Sequence, residues 1–196
     1  DTKIKIISPK IDINRFLYTE EPSKIIIELI KLSNPDDKKK TIFIFPEAIL
    51  NINSDQLINY KHIFSDNFSE NHKILMGINS VEYRNEKKLV YNSLIVIDNN
   101  ANILTKYNKN NLVPFGEFLP FENVLHKLGL KKITPGYQSF SPDYYREILK
   151  INNLKFLPLI CYEIIYSGEL NKKHQDYDFI INISEDGWFG NSIGPH

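Results

Sequence analysis

A carboxylate, an ammonium and a thiol, Glu47, Lys109 and Cys161, each stand just past a short apolar run of this chain. Together they can divide the work of acyl transfer. The carboxylate takes the thiol proton, the thiolate attacks a carbonyl, and the ammonium stabilises the oxyanion of the tetrahedral intermediate. Cys161 is the sole cysteine, and a cysteine that follows Leu-Ile is by itself most often a small buried hydrophobe. A thiol titrates above neutral pH and attacks as the thiolate, so it becomes a nucleophile only beside a base, a cation or a helix N-terminus. Lys109 is expected to favour the thiolate. Taken singly, Glu47 and Lys109 read equally well as surface charges.

The hydrophobic pattern shows which elements must position these groups. Residues 3–8 alternate as a strand closed by Pro9. Pro22 opens a helix with Ile25, Ile26, Leu29, Ile30 and Leu32 on its apolar face, and Asn34-Pro35 ends it. The charged run 36–40 reads as a solvated loop. Residues 41–45 form a strand stopped by Pro46, with Glu47 at its C-terminal end. Ser54 is placed to cap a second helix carrying Leu57, Ile58, Ile63 and Phe64, and 73–80 returns as a strand. Residues 89–98 and 103–107 flank Asp98-Asn99-Asn100 as a hairpin, with Lys109 just past its second arm. The prolines, glycine and aromatics of 110–121 suit an ordered loop, followed by a short helix at 122–128 and a turn at Pro135-Gly136. Residues 146–151 and 154–160 make a second hairpin about Asn152-Asn153, and its outgoing arm delivers Cys161. A helix over 164–171, a buried strand over 177–183 and a polar loop over 184–196 complete the reading.

Helices alternate with strands early and hairpins enter later, so the fold class is α/β, a mixed sheet with helices packed on it. In sheets with a parallel component, strand ends converge on one rim where ligands bind. Glu47, Lys109 and Cys161 are expected to meet there.

The bulk properties bound the partners. At 196 residues the chain is long enough for one domain with one core. The 24 basic residues balance the 24 acidic ones, which argues against nucleic acid as a partner. No apolar stretch approaches the roughly 18–20 residues of a membrane helix. His62, His72, His126, His174 and His196 show no metal-ligand spacing with each other or with Cys161, so no metal site is expected. The chain starts at Asp1 without a methionine and stops directly after Gly194-Pro195-His196, which reads as a piece of something longer.

Phe45-Pro46-Glu47, Tyr107-Asn108-Lys109 and Ile160-Cys161-Tyr162-Glu163 resemble the three catalytic segments of the nitrilase (carbon–nitrogen hydrolase) superfamily. Residues 109–121, Lys-Asn-Asn-Leu-Val-Pro-Phe-Gly-Glu-Phe-Leu-Pro-Phe, and residues 182–196 are similar to loops of its bacterial apolipoprotein N-acyltransferase branch. The resemblance implies an αββα sandwich, C-terminally incomplete in this chain, with 1–196 as a partial catalytic domain. It implies no cofactor. Glu47 would be the general base, Lys109 the oxyanion-stabilising cation, Cys161 the acyl-carrying nucleophile and Glu117 the second glutamate near them. Tyr162, with its backbone N–H as oxyanion donor, and Glu163 match residues beside the nucleophile that the family requires. Trp188 and Phe189 match an aromatic pair near the site.

The implied reaction moves a fatty acyl chain from a phospholipid to Cys161 as a thioester, then to the α-amino group of a diacylglyceryl-modified apolipoprotein. The implied location is the periplasmic side of the bacterial inner membrane, held by membrane segments outside this chain. The aromatic loop 112–121 is the expected cover over the thioester. Phe16 and Phe45 stand where the family more often has tryptophan, and Glu185-Asp186-Gly187 where Asn-Asp-Ala is commoner. Two other readings stay open, a soluble amidase-type carbon–nitrogen hydrolase and an inactive remnant of the acyltransferase.

Overall fold

Period-two alternation sorts the strand residues of this protein onto two faces, and each face meets a different layer. The structure is a computed structural model that describes residues 1–11, 21–118, 120, 139–166, 176–185 and 187. Among the described residues, one sheet has the order β1 (Lys3–Ile6), β2 (Thr41–Ile44), β3 (His72–Arg84), β4 (Lys87–Ile97) and β5 (Ile103–Asn108). A second has the order β6 (Leu149–Ile151), β7 (Leu154–Ile160) and β8 (Phe179–Ile183). β1, β2 and β3 pair in parallel, and the β3–β4 and β4–β5 pairs are antiparallel. β2, β3 and β5 therefore end on the same rim. β7 pairs antiparallel with β6 and parallel with β8.

Phe43, Phe45, Ile74, Met76, Ile78, Ile95 and Ile97 face α1 (Pro22–Ser33) and form one core with its Ile25, Ile26, Leu29 and Ile30. The intervening residues Ile42, Leu75, Leu94 and Val96, with Tyr107, face the second sheet and pack on Leu149, Ile151, Phe156, Ile160, Ile181 and Ile183. The described layers are thus helix, sheet, sheet. Each fully buried Leu or Ile contributes about 1.5–3 kcal/mol relative to exposure, so the two cores supply the main drive for this stacking. Pro22 opens α1, as expected. Asn34 ends it in the left-handed region, φ 40°, and the Lys5 ammonium donates to the Ser33 and Asn34 carbonyls, where helix C-termini favour cations.

Several expected boundaries are corrected. The second helix begins as a 3-10 helix, Ser54–Tyr60, and becomes α2 (Lys61–Ser65). Its N-cap is Asn53 rather than Ser54, and the Gln56 side chain accepts the Asn53 N–H at 2.8 Å. Ile58 is exposed there, because the tighter winding turns it away from the face that buries Leu57. β3 runs on to Arg84 and joins β4 through Asn85 and Glu86, with φ of 50° and 65°, a two-residue hairpin that the expected strand 73–80 stops short of. β6 is only Leu149–Ile151, because Arg146 leaves the strand to reach Glu163. The expected helix at 164–171 is, over its described part, a 3-10 helix that already starts at Cys161, Cys161–Tyr166. β8 starts at Phe179 and buries alternate residues only, so it is a one-faced strand rather than a fully buried one. The helix at 122–128, the turn at 135–136 and most of the loop past 184 lie outside the described residues.

The β4–β5 turn forms where expected. The Asp98 carboxylate accepts the Asn100 and Asn102 N–H groups at 2.8 and 2.9 Å, an Asx arrangement that closes the hairpin.

Candidate active site

Glu47 is set by the way the chain leaves β2. The Phe45 N–H donates to the Leu75 carbonyl at 2.8 Å, and the Pro46 carbonyl accepts the Gly77 N–H at 3.0 Å. The chain then crosses directly over β3 and turns through Ala48 at φ 45°. A Cβ on Gly77 would lie 2.4 Å from the Glu47 Cα, so only glycine admits this crossing. The Glu47 carboxylate accepts the Asn92 Nδ2 amide at 2.7 Å on Oε1 and the Glu185 N–H at 3.0 Å on Oε2.

Lys109 follows β5, with its N–H bound to the Asn92 carbonyl at 2.8 Å. Its side chain is 1% exposed, with Nζ 2.8 Å from Glu117 Oε1 and 4.0 Å from Glu47 Oε1. Glu117 is aimed by its own loop, since its Oε2 accepts the Val113 N–H at 2.9 Å. Asn92 Nδ2 also reaches Glu117 Oε1 at 3.1 Å, so one amide bridges the two carboxylates. Just outside, the Ser93 and Ser80 hydroxyls donate to the Asn108 side-chain Oδ1 and tie β3, β4 and β5 together.

Burial is the largest influence on each charge here. It pushes the Glu47 carboxyl above its ordinary value, and Lys109 and the Asn92 amide offset this only in part. It pulls the Lys109 ammonium down, but Glu47 and Glu117 outweigh it and hold the lysine above its ordinary value. The lysine is therefore a fixed cation.

Cys161 stands at the sharp junction of β7 and the following 3-10 helix, at φ 54°, a strained backbone for a non-glycine residue. Burial, then the Glu47 charge, pushes its thiol up to about 11, against the opposing pull of Lys109 and the Tyr162 N–H. Lys109 favours the thiolate, as expected, but it does not prevail. Desolvation and the adjacent carboxylate together exceed one cation, and the resting site holds a thiol.

Glu163 is fully buried beneath this junction. Its Oε1 accepts the N–H groups of Asn110 and Asn111 at 3.0 and 3.1 Å, and its Oε2 the Ile160 N–H at 3.0 Å. The Tyr107 hydroxyl donates to both oxygens, and Arg146 pairs with Oε1 at 2.7 Å.

A family model described as carbon-nitrogen hydrolase matches residues 38–196. The chain belongs to the carbon–nitrogen hydrolase family. Among curated relatives of this chain, the apolipoprotein N-acyltransferase of Rhizobium rhizogenes is 31% identical over 205 residues, covering 98% of this chain and 38% of that protein. The apolipoprotein N-acyltransferase of Bradyrhizobium diazoefficiens is 42% identical over 107 residues, 54% of this chain and 20% of that protein. The chain thus spans well under half the length of these relatives. A solved amidase of the nitrilase superfamily from Nesterenkonia, 11% identical, superposes at a TM-score of 0.55 over 92% of this chain and 64% of that one. That likeness concerns the fold, an α/β sandwich of the nitrilase type.

The carbon–nitrogen hydrolase fold brings Glu47, Lys109, Glu117 and Cys161 into one cluster, in which Cys161 feels the other three charges. Tyr162 turns its ring outward, 44% exposed, and only its N–H addresses the sulfur. Glu163 braces the site from beneath. Phe45 is buried in the helix-side core, and the Glu185 carboxylate accepts the Gly187 N–H at 2.9 Å. Phe16, Trp188 and Phe189 lie outside the described residues. Two residues escaped the sequence reading. Gly77 had a signal, a glycine inside a strand pattern, which marks a close backbone approach. Asn92 had one too, an amide in the middle of a strand rich in apolar residues. Among the described residues no group of three or more His, Cys, Asp or Glu side chains could hold a metal ion.

Proposed function

We propose that this chain is the catalytic unit of a bacterial apolipoprotein N-acyltransferase, with residues 1–196 folding as one domain. It moves a fatty acyl group from a phospholipid to Cys161 and from there to the α-amino group of a diacylglyceryl-modified N-terminal cysteine. The observation that carries this reading is the buried Lys109 ammonium, held between Glu47 and Glu117 within the field of Cys161. The relatives named apolipoprotein N-acyltransferase support the choice of substrates. The same reading puts the unit on the periplasmic side of the inner membrane. Among the described residues no helix is long and apolar enough to cross a membrane.

Because the thiol holds its proton tightly and burial makes the Glu47 carboxylate a stronger base, proton transfer accompanies attack rather than preceding it. Glu47 takes the Sγ proton as sulfur bonds to the ester carbonyl carbon, and Lys109 with the Tyr162 N–H faces the oxyanion. Collapse breaks the ester C–O bond, and Glu47 returns the proton to the departing lysophospholipid oxygen. The amine then attacks the thioester, loses a proton to Glu47, and expels the Cys161 sulfur, which recovers that proton.

The test is intact-mass analysis after incubation with phospholipid vesicles, beside a Cys161→Ala control. A hydroxylamine-labile gain of one acyl chain, absent in the control, is expected. No gain from phospholipid, with acylation by a simple amide instead, would return the reading to an amidase-type hydrolase.

A further inference from the structure

We propose that Arg146 is a positioning residue for this site, acting through Glu163 to hold Lys109 against Cys161. The inference rests on the reading of Lys109 and Cys161 as a working pair. One buried carboxylate collects backbone from both sides of the site. Glu163 binds the N–H of Asn110, directly after Lys109, and of Ile160, directly before Cys161. It therefore spans the two sheets where the lysine and the thiol leave them.

A carboxylate with no exposure needs a cationic partner, or its charge is costly to keep in place. Arg146 supplies it with a fork. Nη2 donates to Glu163 Oε1 at 2.7 Å, Nε donates to the Tyr107 hydroxyl at 3.1 Å, and the guanidinium lies over the Tyr107 ring at 5.9 Å. Tyr107 completes the clamp through its bonds to both Glu163 oxygens. The arginine is itself tethered to the site. The segment before it hangs from the Glu117 carbonyl through Phe140 N–H, from the Val90 carbonyl through Ser141 N–H, and from the Lys109 carbonyl through Asp143 N–H. The Asn108 amide holds the Asp143 carboxylate at 3.0 Å. Removing the cation leaves Glu163 unpaired, loosens its grip on 110 and 111, and lets Lys109 draw away from the sulfur. Lys109 favours the Cys161 thiolate, so its withdrawal lowers thiol reactivity.

The experiment is alkylation of Cys161 by iodoacetamide in the intact chain, followed by mass at fixed alkaline pH, in a cycle of Arg146→Met and Lys109→Met. Arg146→Met is expected to slow alkylation about threefold, the size of a half-unit rise in a thiol pKa. Added to Lys109→Met it should change nothing, because the path runs through the lysine. Equal slowing in both backgrounds, or no slowing in a folded Arg146→Met protein, would overturn the proposal. If Arg146→Met does not fold, Arg146→Lys is read in the same cycle. It keeps the charge but not the fork, and its smaller slowing must also vanish without Lys109. Alkylation needs no lipid, so a failure of phospholipid to acylate Cys161 would refute the function reading and leave this cycle to be judged separately.

Discussion

Gly77 lies directly beneath Glu47, so close that a side-chain carbon on the glycine would come within 2.4 Å of the glutamate Cα and 2.7 Å of the Ala48 nitrogen. The contact is with backbone, which cannot swing aside. Gly77→Ala is therefore expected to destabilise the fold by about 1–3 kcal/mol and to lift Glu47 from its partners Asn92 and Glu185. Thermal unfolding and the Cys161 alkylation rate check this together. A melting temperature unchanged from wild type would show that the crossing has slack.

Glu47→Gln separates two effects of one carboxylate. Its charge opposes ionisation of Cys161, so removing it should lower the thiol pKa and speed alkylation at neutral pH. Its basicity drives the proposed acyl transfer, so acylation by phospholipid should fall about 10²–10⁴-fold. Alkylation that slows along with acylation would mean that Glu47 does not act on the sulfur in this way.

The Cys161 thiol also sets a pH dependence of stability. Its folded pKa, about 11, lies above the reference 9.0. Below pH 9 the thiol is neutral in folded and unfolded chains, and its contribution is fully present. As pH rises from 9 towards 11 the unfolded chain ionises first, and stability is lost, with a ceiling of about 3 kcal/mol. Wild type should therefore lose more stability than Cys161→Ala across that window in urea titrations. Parallel curves would place the folded thiol near its ordinary value.

Much of this molecule was readable before any coordinates. The strands ending at Glu47, Lys109 and Cys161 appeared because their alternating or continuous apolar runs stop at proline or polar residues. The α1 helix appeared because Pro22 and Asn34-Pro35 bracket a period of 3.6. The Asn85-Glu86 hairpin did not, since Glu86 carries no turn signature and both positions need positive φ. The 3-10 helix at Cys161 was hidden for a related reason. Cys-Tyr-Glu-Ile-Ile-Tyr looks like the first turn of an ordinary helix until Glu163 folds back to accept the Ile160 N–H.

What the sequence by itself determined is the chemistry available: one thiol, a carboxylate and an ammonium, each delivered at the end of its own strand. Only the tertiary structure decided how those groups are poised. Which carboxylate lies nearest Lys109, that Asn92 bridges Glu47 and Glu117, and that Cys161 rests as a thiol all depend on through-space distance and desolvation. Neither quantity is written along a chain, because both arise only when two sheets close over the same few ångströms.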